Sequence, residues 1–151
     1  MDKRIVCQNK KASYEYYIDE VFEAGLVLQG PEVKSLRDRR ASLSDSYARV
    51  KGNRILLHNL HISPYPYANH MNLDPKRTRK LLLHKKEIQR LIGKTEQKGY
   101  TLIPLKIYFL GSWAKAEIGL AKGKKKVDKR RVLKEKELKR EIEQARKKGT
   151  Y

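Results

Sequence analysis

Residues 101–120 read TLIPLKIYFLGSWAKAEIGL. Apolar side chains fall at every second position, Ile103, Leu105, Ile107 and Phe109 first, then Ala114, Ala116, Ile118 and Leu120. Successive side chains of an extended chain point to opposite faces, so each set shares one face of a strand. Gly111-Ser112 suits the tight turn between them. The stretch therefore predicts a β-hairpin, with Trp113, Lys115 and Glu117 on its other side.

Upstream, the same alternation recurs in shorter pieces. Tyr14, Tyr16 and Ile18 alternate with polar neighbours and Leu26-Val27-Leu28 follows Ala24-Gly25, which predicts two strands joined by a turn. GPEVKSLRDRR at 30–40 predicts a short helix, with Pro31 in its first turn and Val33 and Leu36 three apart. Tyr47-Ala48-Arg49-Val50, the turn Lys51-Gly52-Asn53 and Ile55-Leu56-Leu57 predict a hairpin that runs on through Leu60 and Ile62. Asp74 as N-cap, Pro75 behind it and Gly93 as stop predict a helix over 74–93. Leu81, Ile88, Leu91 and Ile92 would form its buried side, and Lys76, Arg79, Lys86 and Arg90 a cationic ridge opposite. Leu82 and Leu83 fall off that apolar sector, which leaves packing against a strand or contact with a partner. About six short strands and two helices predict a mainly β fold. Its expected form is an OB-like small antiparallel β-barrel with packed helices and a basic C-terminal tail, an architecture that includes nucleic-acid binders.

The charge narrows the function. Lys and Arg number 36 against 17 Asp and Glu, a formal +19 on 151 residues, and 39% hydrophobic content supplies one core of ordinary size. Such a charge repels itself unless a polyanion offsets it, and nucleic acid is the expected partner, ahead of an acidic membrane surface. Cys7 is the lone cysteine, which excludes a disulfide framework and leaves a zinc site short of soft ligands. No run of apolar residues is long enough to span a membrane, and the opening MDKRIVCQNKK lacks the apolar segment of a signal peptide. A reducing, cytoplasmic setting is the expectation.

Catalytic patterns are weak. The histidines are His58, His61, His70 and His84. His58 and His61 would point to opposite faces of one strand, and His84 would pack near the apolar side of the helix over 74–93. The acids are scattered beside Lys or Arg, Ser42, Ser44 and Ser46 lack a nucleophile motif, and no phosphate-binding glycine loop occurs. The reading is a protein that is not an enzyme and takes no cofactor and no metal. A structural ribosomal protein and a histidine-dependent ribonuclease are the alternatives.

Nucleic-acid features are stronger. Residues 76–94 hold eight Lys or Arg and one Glu, and Lys122–Lys126 form a second cluster. Tyr14, Tyr16, Tyr47, Tyr65, Tyr67 and Trp113 lie among these cations, as stacking platforms for unpaired bases or as core. Charge is also uneven along the chain. Residues 121–151 carry 14 basic and 5 acidic side chains, against 22 and 12 in residues 1–120. The expected division is a body at 1–121 and a basic tail at 122–151. In the tail, Arg131, Glu135, Lys139, Glu143 and Lys147 make an i,i+4 ladder of alternating sign, while the stripe Leu138, Ile142 and Ala145 is too narrow to seal a core. A tail disordered when free and helical along a polyanion is the expectation.

Several long runs occur in order: Asn9-Lys10-Lys11-Ala12, Phe22-Glu23-Ala24-Gly25, Glu32-Val33-Lys34-Ser35-Leu36-Arg37, DPKRTRKLLLH from Asp74 to His84, Gly99-Tyr100-Thr101-Leu102, GLAKGKK from Gly119 to Lys125, and Asp128-Lys129-Arg130. With them the chain resembles the bacterial small protein B family of SsrA-binding proteins over essentially its whole length. The resemblance implies an OB-like barrel that binds the tRNA-like domain of transfer-messenger RNA, or SsrA RNA, one-to-one as a monomer. It also implies delivery of that RNA to stalled ribosomes for trans-translation, with the tail in the decoding site and the message channel. Carried over by motif, the RNA-binding residues are Asn9, Glu23, Leu82, Lys115, Lys122, Gly123 and Lys124, with Tyr47. Tyr14, as a ring where many members have His, and Arg79, from the cationic ridge, complete the set. Asp128, Lys129 and Arg130, with Lys139 and Arg140 of the tail helix, are the ribosome-engaging residues. Glu23 has two possible duties, binding base or sugar donors or holding a neighbouring cation.

Overall fold

A computed structural model describes residues 2–67, 73–97, 99–124 and 126–147, the last segment without the side chains of 126–128 and 146–147. In chain order the elements are β1 (Lys3–Gln8), α1 (Ala12–Glu15), β2 (Tyr16–Leu26), α2 (Gly30–Arg37), β3 (Ala41–Ser42), β4 (Tyr47–Lys51), β5 (Arg54–His58), β6 (His61–Ile62), β7 (Arg79–Leu82), α3 (Lys85–Thr95), β8 (Tyr100–Leu110), β9 (Trp113–Gly123) and α4 (Lys126–Lys147).

The predicted hairpin is β8 and β9, which pair along their whole length around Gly111, whose φ of 61° suits the glycine at this turn. Neighbouring strands follow the order β8, β4, β5, β7, β2, β9, and the β8–β9 pairing closes them into a ring of six antiparallel strands, with β1 added along β8. This is the closure expected of a small OB-like barrel. Inside it Phe22, Leu36, Ile55, Leu57, Leu81, Leu91, Ile107, Ile118 and Leu120 form the main core.

Four expectations change. Residues 16–26 make one long strand rather than two with a turn, because β9 pairs with them from Tyr16 to Gly25. A bulge between Pro104 and Lys106 breaks the single face expected of Ile103, Leu105, Ile107 and Phe109: Ile107 and Phe109 enter the main core, while Ile103 joins Ala12 and Ala121 in a smaller cluster. The helix expected over 74–93 is divided. Asp74 caps only a turn, accepting from the Lys76 amide at 2.9 Å. Residues 79–82 pair with β5 on one side and β2 on the other, and two ladders outweigh the local helical signal. The helix begins at Lys85, where the Glu87 side chain accepts from the His84 amide in a capping box, and it passes through Gly93 to Thr95. Finally, β9 runs to Gly123, so Lys122 and Gly123 belong to the ring rather than to the tail. The tail is helical as α4, whose nearest neighbour is α1, and Leu133, Leu138 and Ile142 are exposed along it.

Candidate nucleic-acid interface

The division of 74–93 decides where its side chains go. In a strand the period is two, so Arg79 and Leu81 point inward and Lys80 and Leu82 outward. Leu82 is 52% exposed rather than packed away, whereas Leu83 packs against the core. On the other side of the ladder Gly25 lies opposite both Leu82 on β7 and Lys115 on β9. A side chain there would bring a Cβ within 3.3 Å of Leu82 Cβ, so the glycine keeps the floor between them low. Glu23, two residues earlier, shares that face. Together with Trp113, which is 67% exposed, these residues line an open groove of about 710 Å³. It offers an apolar contact, a ring edge, a cation and a carboxylate side by side.

Glu23 has a partner that the sequence did not reveal. Tyr108 on β8 is buried, yet its hydroxyl reaches across β9 and donates to the Glu23 carboxylate. Burial, then the bond to Glu23, pushes the Tyr108 phenol well above its usual range. The acid is therefore fixed in place by a neutral donor, with its other oxygen available.

At the far end of β9, Lys122 and Lys124 stand over aromatic rings. Lys122 Nζ is 4.6 Å from the centre of Tyr100, whose hydroxyl donates to Asp19 at 2.6 Å. Lys124 Nζ is 4.8 Å from the centre of Tyr17 and donates to the Ser13 carbonyl at 2.8 Å. The ring orients the Lys122 ammonium, and ring and carbonyl together orient that of Lys124, without neutralising either. Gly123 between them faces open space, so a nucleic-acid backbone can approach closely.

The SmpB family model, described as SmpB protein, matches residues 6–148. The chain belongs to the SmpB family. The SsrA-binding protein of Listeria welshimeri is 59% identical over 144 residues, covering 95% of this chain and 94% of that protein. The SsrA-binding protein of Geobacillus thermodenitrificans is 57% identical over 142 residues, covering 94% and 92%. A chain from a solved structure described as tmRNA-SmpB, a journey to the center of the bacterial ribosome, superposes with a TM-score of 0.67 at 50% identity, covering 80% of this chain and 85% of that one.

Within this SmpB-family chain the remaining expected residues lie elsewhere. Asn9 sits at the β8 bulge, its amide donating to Leu105 O at 2.8 Å and its Nδ2 to Pro104 O at 3.1 Å. It also lines, with Tyr47, a second and more polar groove of about 770 Å³. Tyr47 is stacked on His58, ring centres 5.0 Å apart, with the Arg49 guanidinium 5.5 Å from its centre. That platform joins β4 to β5, and the register Tyr47 opposite His58 was legible only once the hairpin was paired. Tyr14 lies in α1, half-buried.

Arg79 is corrected. Its side chain is fully buried, Nε donating to Glu32 Oε2 at 2.7 Å, Nη2 to Pro75 O at 3.1 Å and Nη1 to Leu60 O. Arg77 donates to the other Glu32 oxygen at 2.6 Å. Burial alone would raise the Glu32 carboxyl, but the bonds from Arg77, the Gln29 amide and Arg79 outweigh it and hold the group below the usual carboxylate range. Arg79 thus ties α2, β7 and the loop after β5 together and presents nothing to a ligand. The cationic ridge is corrected with it, since Arg90 is engaged by Glu20 at 2.5 Å.

The histidines also move. His58 and His61 lie on β5 and β6, not on one strand, with Asn59 between them at a φ of 62°. His84 is an exposed N-cap rather than a packed side chain, and His70 lies outside the described residues. Among the described residues no group of three or more His, Cys, Asp or Glu is placed to hold a metal. No helix among them is long and apolar enough to cross a membrane. Asp128, Lys129, Arg130, Lys139 and Arg140 all fall on α4.

Proposed function

We propose that this chain is an RNA-binding adaptor. It binds the tRNA-like domain of transfer-messenger RNA and delivers that RNA to stalled ribosomes for trans-translation. One observation carries the reading: nearly the whole chain matches an SsrA-binding protein at 59% identity and superposes on a chain of a tmRNA-SmpB structure at 50%.

The two lysines over rings and the Leu82 groove supply what folded RNA needs from a protein, oriented cations for phosphates and an apolar surface for exposed bases. In this reading Glu23, Leu82 and Lys115 grip one part of the ligand, and Lys122, Gly123 and Lys124 follow its backbone. The protein acts as a monomer, one per RNA, in the cytoplasm, and contributes no reaction of its own. The tail enters the decoding site and the message channel, where phosphates offset its self-repulsion and hold Asp128, Lys129, Arg130, Lys139 and Arg140 in a helix, the segment being disordered in the free protein in solution.

Sequencing the RNA that co-purifies with the full chain tests the assignment. Enrichment of transfer-messenger RNA is expected, with affinity falling steeply as salt rises. Recovery of bulk ribosomal RNA alone, at one protein per ribosome after a high-salt wash, would favour a structural ribosomal protein instead.

A further inference from the structure

We propose that Arg4, Arg37 and Arg39 form a further RNA site, one that grips a single phosphodiester. Together with Ile5, Val6 and Phe109 they line a pocket of about 190 Å³. Arg4 pairs with Phe109 in the β1–β8 ladder, so the pocket lies on the face of β8 opposite to the one from which Tyr108 reaches Glu23. The Arg37 guanidinium sits 5.3 Å from the centre of the Phe109 ring.

Two observations point to an anion. First, Arg77 and Arg79 pair with Glu32 and the exposed Arg90 pairs with Glu20, but Arg4, Arg37 and Arg39, also exposed, have no carboxylate partner among the described residues. Three like charges converging without a counterion repel one another, and a phosphate between them turns that repulsion into charge-assisted hydrogen bonds. Second, Arg39 stands where a helix ends in the left-handed conformation, at a φ of 58°. The amides of Arg39 and Arg40 close α2 by donating to Leu36 O and Ser35 O at 3.0 Å each, the termination that glycine serves without steric cost. An arginine at this position bears a backbone strain that glycine would avoid, and it lines the pocket.

The site rests on the adaptor reading for the identity of its RNA, which is either transfer-messenger RNA or the ribosomal RNA of the small subunit. The test uses the full chain with Arg39→Gly, Arg4→Gln, Arg37→Gln and, as a control for lost charge on a distant turn, Lys51→Gln. Binding to folded transfer-messenger RNA and to purified small subunits is measured across salt concentrations, and thermal melting alongside. Arg39→Gly is expected to melt no lower than the parent, since glycine relieves the strain, yet to bind one of the two RNAs about tenfold more weakly. Its log–log salt slope should shrink by about 0.7 to 0.9, one phosphate's share. Arg4→Gln and Arg37→Gln should lose the same slope, and the triple variant no more than that, because the three side chains share one phosphate. Loss confined to one RNA names the source. Affinities no lower than that of Lys51→Gln on both RNAs, or slopes that add across the three arginines, overturn the site. A parent chain that binds neither RNA overturns the adaptor reading together with it.

Discussion

The Tyr108 hydroxyl donates to the Glu23 carboxylate across the strand that separates them. The bond runs along the outer face of the ring at the edge of the groove, and it makes Glu23 a fixed acceptor rather than a mobile surface acid. Tyr108→Phe removes the donor without changing the volume. We expect a loss of about 1.5 kcal/mol in denaturant melts, the low end for a bond to a charged group, because water can reach the freed carboxylate. Burial and Glu23 raise the folded-state phenol above its unfolded value, so its contribution is complete below the usual tyrosine range and is lost as pH rises through the folded value. Stability of the parent should fall with pH in the alkaline range, and Tyr108→Phe should flatten that limb. An unchanged limb would refute the coupling.

Glu32 neutralises a buried arginine. Glu32→Gln keeps the shape and leaves Arg79 without a counter-charge in the interior, a loss of about 3–5 kcal/mol by chemical denaturation. The Glu32 carboxyl is depressed in the folded protein, so its stabilisation is present above the unfolded carboxylate range and disappears as pH falls through the folded value. The variant should show a shallower acid limb than the parent.

Leu82→Ala separates binding from folding. The side chain is 52% exposed and fills no cavity, so stability should stay within about 0.5 kcal/mol. Affinity for transfer-messenger RNA should fall about fivefold, the loss of roughly 1 kcal/mol of apolar contact. A titration showing parental affinity would remove Leu82 from the interface.

Truncation after Lys126 leaves the ring whole, because β9 ends at Gly123 and the Lys124 amide is already tied to Glu15 O at 2.8 Å. RNA affinity should be largely retained while peptide tagging on stalled ribosomes is abolished. Equal loss of both activities would contradict a division between gripping body and engaging tail.

Cys7 should be slow to react. Burial pushes its thiol up to about 11, against a smaller opposing effect of its backbone bond to Ile107. Alkylation at pH 8 should run tens of times more slowly than that of a free thiol, since the thiolate is the reacting form.

How far the sequence could be read varied with the range of the interaction. The β8–β9 hairpin, the β4–β5 hairpin and α2 were legible because alternation, turn residues and an N-terminal proline act within a few residues. The residues 79–82 were not. Their local pattern favours a helix, and only pairing with strands distant in sequence makes them β7. That one change of period buried Arg79, which the charge pattern had placed on the surface, and exposed Leu82, which the apolar pattern had left undecided. Tyr108 carried no signal at all, since its partner lies 85 residues away.

The sequence by itself determined that the chain is a strand-rich, cationic, single-core protein of this family, because composition, alternation and ordered motifs are properties of the chain before it folds. Closing the ring decided which side chains meet: Arg79 with Glu32 and Tyr108 with Glu23, and it set Arg4 beside one pocket with Arg37 and Arg39. Those pairings depend on register across strands far apart in sequence, and a shift of one residue turns every side chain to the other face.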